Sequence, residues 1–80
     1  MRIVLNHEVK PIKNGFAAKA KEVPLTAHGT TPEIARLNLS RTVHMFYMAL
    51  ERGNALEWAI KKTGVVTEND GRDELSVYCQ

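Results

Sequence analysis

The stretch Gly29-Thr30-Thr31-Pro32-Glu33-Ile34-Ala35 constrains this 80-residue chain more than any other. It follows a run that alternates like a strand and precedes a long amphipathic pattern, so an extended segment must end there and a helix begin. Thr31 is suited to the N-cap, where its hydroxyl accepts a backbone N–H of the first turn. Pro32 suits the first helical position, which has no donor to lose and needs the φ that the ring imposes. Glu33 places a carboxylate near the positive end of the helix dipole. Gly29 frees the backbone where the strand turns away. An apolar stripe of about five turns follows.

Eighty residues make one domain, which buries only about 60% of its unfolded surface. So small a core favours a partner or a second copy of the chain. The 44% hydrophobic and 25% charged residues exclude disorder. The formal charge of +2 neither requires nor excludes nucleic acid. One cysteine, Cys79, cannot make an internal disulfide and suits a reducing compartment. No apolar run reaches the ~18 residues of a membrane span, and Met1-Arg2-Ile3-Val4 does not open a signal peptide. These features predict a soluble cytoplasmic domain.

Residues 1–28 carry strand signals. Ile3, Leu5 and Val9 share one face at period two, Pro11 ends that run, and Lys13-Asn14-Gly15 offers an Asn-Gly turn. Phe16, Ala18 and Ala20 then alternate with Ala17, Lys19 and Lys21. Val23-Pro24 interrupts the ladder, and Leu25 to His28 forms a short third strand. The spacing predicts a helix over 32–52. Ala35, Leu39, Thr42, Val43, Phe46, Ala49 and Leu50 form the face laid on the sheet, and Arg36, Ser40, His44, Tyr47 and Glu51 the wet face. Ile34, Leu37, Met45 and Met48 make a second apolar stripe beside Arg41 and Arg52, to be covered by another part of the chain or by a partner.

Gly53 is placed to end this helix and Asn54, with Glu57, to cap a short one over 54–63. Leu56, Ala59 and Ile60 form its buried side, Gly64 stops it, and Trp58 falls off the stripe. The short junction favours packing of this helix on the Met45/Met48 stripe. Residues 65–80 hold a polar turn around Asp70-Gly71 and an alternating run, Leu75 to Cys79, that closes the sheet. The expected fold class is α+β in the order βββα-β: a three-stranded antiparallel meander and a closing strand packed on one long helix, with an extra short helix.

Three elements, Asn14-Gly15-Phe16-Ala17-Ala18, Val23-Pro24 and Gly29-Thr30-Thr31-Pro32-Glu33-Ile34-Ala35, resemble the HicB-like antitoxin domain, a partial ribonuclease-H-like fold. The likeness spans roughly residues 1–50. The Pro-Gly-Cys that follows the Val-Pro step in the family is absent, and Ile34 replaces the second Glu of the helix start. The resemblance implies a non-catalytic, cofactor-free domain that covers a small HicA-like ribonuclease toxin. On that reading Lys19 and Lys21 on the sheet, and Arg36, His44 and Tyr47 on the helix, are the contact candidates. Leu37, Met45, Met48 and Trp58 are candidates for self-association or contact with the second helix. Longer family members bind DNA through a C-terminal helix-turn-helix or ribbon-helix-helix module, for which the 30 residues beyond residue 50 are too few.

Catalytic chemistry finds little support in the residues. The strand acids Glu8, Glu22 and Glu74 and the turn acids Asp70 and Asp73 lack the spacing of a two-metal site. His7, His28 and His44 match no zinc pattern, and nothing beside Cys79 lowers its pKa. Lys10, Lys13, Lys19 and Lys21 cluster on the first hairpin. They suit either a solvated edge that resists strand pairing or a row of phosphate contacts. A stand-alone nucleic-acid-binding domain and an orphan homo-oligomer are therefore the alternative functions.

Overall fold

The computed structural model describes every residue except Asp70, Arg72 and Asp73, so the polar turn expected there lies partly outside the described residues. The chain is α+β, as the sequence predicts. Its elements are β1 (Arg2–Leu5), β2 (His7–Ile12), β3 (Gly15–Ala20), β4 (Thr26–Gly29), α1 (Pro32–Arg52), α2 (Leu56–Thr63), β5 (Val66–Glu68) and β6 (Ser76–Cys79).

The first strand run is split at Asn6, which belongs to neither ladder. The Glu22 carboxylate accepts the Asn6 N–H at 2.9 and 3.1 Å, a charge-assisted bond that satisfies the donor at the break. Pairing resumes on both sides. Lys21 N–H donates to Asn6 O (2.9 Å), Gln80 N–H to Leu5 O (2.9 Å) and His7 N–H to Gln80 O (3.2 Å). The two sheets, β2-β3-β4 and β5-β1-β6, thus share one bent N-terminal ribbon. The meander is β2-β3-β4, antiparallel throughout. The closing strand β6 runs parallel to β1, Arg2 facing Ser76 and Leu5 facing Cys79, rather than extending the meander. Parallel pairing requires a long crossover, and the helices lie within it. β5, which the sequence presents only as Val65-Val66-Thr67 before a turn, pairs antiparallel with β1.

Pro11 does not end β2. It sits opposite Phe16, on a part of the strand that β6 does not flank, where a missing donor is harmless. The hairpin closes through Lys13 and Asn14, with Ile12 opposite Gly15. The step from β3 to β4 turns at Pro24, where Leu25 N–H donates to Val23 O at 2.8 Å, a three-residue turn compatible with the ring-fixed φ. Gly29 is required by closeness rather than by a turn: a Cβ there would lie 2.5 Å from Ala35 N and 2.8 Å from Ile34 C. The first turn of α1 therefore rests directly on the β4 backbone.

α1 begins as the sequence dictates, with Thr31 extended (φ −130°, ψ 161°) and its Oγ1 accepting the Ile34 N–H at 3.1 Å. Its buried stripe is turned from the one expected. Ala35, Leu39, Val43 and Tyr47 are all completely buried, four residues apart, whereas Ala49 is exposed. Tyr47, expected on the wet face, thus belongs to the core with Ile3, Leu5, Ala18, Val23 and Leu75. Each large apolar side chain in this set adds about 1.5–3 kcal/mol of burial. Aliphatic positions can be placed on a wheel, but an amphipathic aromatic at the stripe's margin can go either way.

The helix junction also differs. Asn54, not Gly53, holds the left-handed conformation (φ 58°), with Ala55 N–H on Leu50 O (2.8 Å) and Asn54 N–H on Glu51 O (3.2 Å). These paired bonds are the Schellman arrangement with Asn54 at C′. Asn54 is thereby spent on ending α1, and α2 starts at Ala55 with no side-chain cap. Gly64 (φ 70°) ends α2 as expected.

Candidate interaction surfaces

The sheet has one covered and one open face. Val9, Ala18 and Ala27 are aligned across the meander on the α1 side. The intervening rungs, Glu8–Lys19–Thr26 and Lys10–Ala17–His28, face outward. Glu8 and Lys10 approach to 3.6 Å on this exposed surface. Lys21 lies exposed in the bend after β3. Lys19 and Lys21 are therefore separated by the sheet from the helix candidates, and the five predicted contact residues do not form one site.

α1 carries the second surface. Ile34, Leu37, Arg41, Met45, Met48 and Arg52 line the side opposite its core stripe, three or four residues apart. Leu37 is 50% and Met45 72% exposed, Ile34 is exposed, and Met48 is half-buried. Met48 packs against the main core, as do Leu56 and Ile60 of α2, which leaves Ile34, Leu37 and Met45 as the exposed part of the line. Met45 forms a ridge shared by two grooves. One, of about 360 Å³, is lined by Ser40, Arg41, His44, Met45 and Val77 and so opens between α1 and β6. The other, of about 400 Å³, is lined by His44, Met45, Met48, Ala49 and Arg52. His44 is thus joined to the apolar line, Arg36 lies exposed near its start, and Tyr47 is removed from any contact surface. Trp58, 62% exposed on α2, carries the Lys62 ammonium 5.1 Å from its ring centroid.

The strand edges differ in how they are finished. His28 O on β4 accepts Asn38 Nδ2 of α1 at 2.8 Å, which closes part of that edge. Three-residue β5 bears Glu68, 3.7 Å from Arg2. β6, Ser76-Val77-Tyr78-Cys79, has neither a charge nor a proline, and no described strand pairs with its outer side. Ser76 N–H and Gln80 N–H point inward, to Met1 O (3.0 Å) and Leu5 O (2.9 Å). Alternation along the strand leaves the N–H and C=O of Val77 and Cys79 facing out.

The titratable groups are dispersed. Glu8 sits on the outer face, Glu22 holds Asn6, and Glu74, which precedes β6, offers its carbonyl to the N-terminal ammonium (3.1 Å). His7 Nδ1 lies 2.7 Å from Gln80 O. Among the described residues no three His, Cys, Asp or Glu are grouped to hold a metal ion, and no helix is long and apolar enough to cross a membrane. Burial pushes the half-buried Cys79 thiol up, Ser40 offsets part of this, and the Glu22 charge adds to it. That thiol is a poor nucleophile at neutral pH. Burial also raises the Tyr47 phenol; Thr63 opposes the shift, and Glu22 adds to it. The Tyr47 hydroxyl is buried and makes no well-formed hydrogen bond, the Thr63 hydroxyl donating to Ala59 O at 2.7 Å.

No known family model, curated protein or solved structure matches the chain.

Proposed function

We propose that this chain is a non-catalytic protein-binding domain that acts as a HicB-like antitoxin, covering a small HicA-like ribonuclease. The observation that carries the reading is the exposed apolar line of α1, Ile34, Leu37 and Met45, bordered by His44, Arg41 and Arg52. A monomer has no use for a line of large apolar side chains in water, and such lines mark docking sites. The meander β2-β3-β4 followed by the long helix α1 is compatible with the βββα part of the layout that the resemblance implies, whereas β6 pairs with β1 instead of joining the meander.

Affinity capture of the tagged chain from its native host tests the reading. A small ribonuclease recovered at near-equal stoichiometry, lost with Leu37→Glu and Met45→Glu but kept with Lys19→Glu, is the expected result. Recovery of the chain without any ribonuclease contradicts it. The outward rungs favour a second reading, a nucleic-acid-binding face using Lys10, Lys19, Lys21 and His28. It predicts RNA or DNA binding that weakens steeply with salt and is lost with Lys19→Glu.

A further inference from the structure

The uncharged β6 edge carries an inference separate from the α1 docking line. We propose that two copies of the chain join through β6, antiparallel about a two-fold axis at Tyr78, into one continuous sheet. Three observations select a second copy as the occupant. The outward N–H and C=O groups belong to Val77 and Cys79, two residues apart. In an antiparallel pair centred on Tyr78, each Val77 faces the partner's Cys79, and both such pairs exchange two hydrogen bonds, four in all. The strand is also neutral over Ser76 to Cys79, so this register sets no charge on β6 against its own copy.

Tyr78 supplies the third. It is 48% exposed and lies on the face opposite Val77 and Cys79, with the Arg2 guanidinium carbon 4.3 Å from its ring centroid. The axis would place it against the partner's Tyr78 in the closer, non-hydrogen-bonded position, where aromatic cross-strand pairs are most favourable. On the other face, Val77 floors the groove of about 360 Å³ beside α1, and joining two edges makes the two floors continuous. An interface of standard size takes about 800 Å² per copy, roughly a seventh of the 5465 Å² that the chain exposes. β5 and β4 fit this role less well, since one bears the Arg2–Glu68 pair and the other is tied to Asn38.

Sedimentation of the purified chain, with cross-linking variants, decides the matter. The intact chain should sediment as a dimer, twice 9.0 kDa, at tens of micromolar. Tyr78→Lys, which sets two ammonium groups together at the axis, should give a monomer with an unchanged circular-dichroism spectrum. In a Cys79→Ser background, Tyr78→Cys should form a covalent dimer on mild oxidation, since cross-strand Cα distances of about 4.5 Å fall within disulfide reach. Val66→Cys, exposed on β5, should cross-link at least tenfold less. A chain that stays monomeric at 200 micromolar overturns the proposal. So does a dimer that survives Tyr78→Lys, or cross-linking no better at residue 78 than at residue 66.

Discussion

Two outer strands of the molecule, β4 and β6, are finished in opposite ways. β4 is locked under the start of α1: Gly29 brings its backbone against Ala35, and Asn38 takes the carbonyl of His28. Among the described strands β6 pairs on one side only, with β1, and its uncharged residues leave two backbone pairs facing outward. An unprotected edge is a template for further pairing, and natural proteins blunt edges that should stay single. The contrast teaches that edge protection here is selective, since one strand is tied by a helix side chain while the other is left ready to add a neighbour.

The largest expected effect breaks the β4 side. Gly29→Ala should cost about 3 kcal/mol in chemical denaturation, because the new Cβ would meet backbone atoms of α1 that cannot move aside. An effect below about 1 kcal/mol would mean that α1 does not rest on β4 so closely. Asn38→Ala should cost about 1 kcal/mol and also free the His28 carbonyl, making β4 more like β6. Its amide-exchange pattern should loosen in β4 alone.

Tyr47→Phe should raise stability by up to about 1 kcal/mol, since it deletes a buried hydroxyl that makes no well-formed hydrogen bond and keeps the ring. Its pH profile sharpens the point. Tyr47 and Cys79 are raised above their ordinary values of 10.0 and 9.0. Their contribution is therefore fully present below about pH 9 and lost as pH rises further, because the unfolded chain ionises first. Tyr47→Phe should flatten the part of that fall due to the phenol, as read by thermal melts in alkaline buffers. The smallest effect lies far from either edge: Asn54→Gly should add about 0.5 kcal/mol, glycine being easier at the left-handed C′ position.

Local chemistry made the start of α1 legible, because Thr31, Pro32 and Glu33 each act within one turn of where they stand. The hairpin and Gly64 were legible for the same reason. What escaped was set by distant partners. Asn6 breaks its strand where Glu22, sixteen residues away, accepts its N–H. Tyr47 enters the core because the sheet meets α1 slightly to one side of the most aliphatic stripe. β5 is a strand only through its pairing with β1. The candidate surfaces divide likewise. The Ile34/Leu37/Met45 line shows in the sequence as a second stripe, whereas the bare β6 edge does not, because Ser76-Val77-Tyr78-Cys79 carries no mark of which side of β1 it takes.

Amide hydrogen exchange followed residue by residue at low and high protein concentration tests the pairing of β6 most directly. Tyr78, whose N–H faces β1 by the alternation, should be protected at every concentration. The Val77 and Cys79 amides should exchange freely in dilute solution and become protected as concentration rises. Fast exchange of both at every concentration, beside a protected Tyr78, would show that the edge stays bare and would contradict the account.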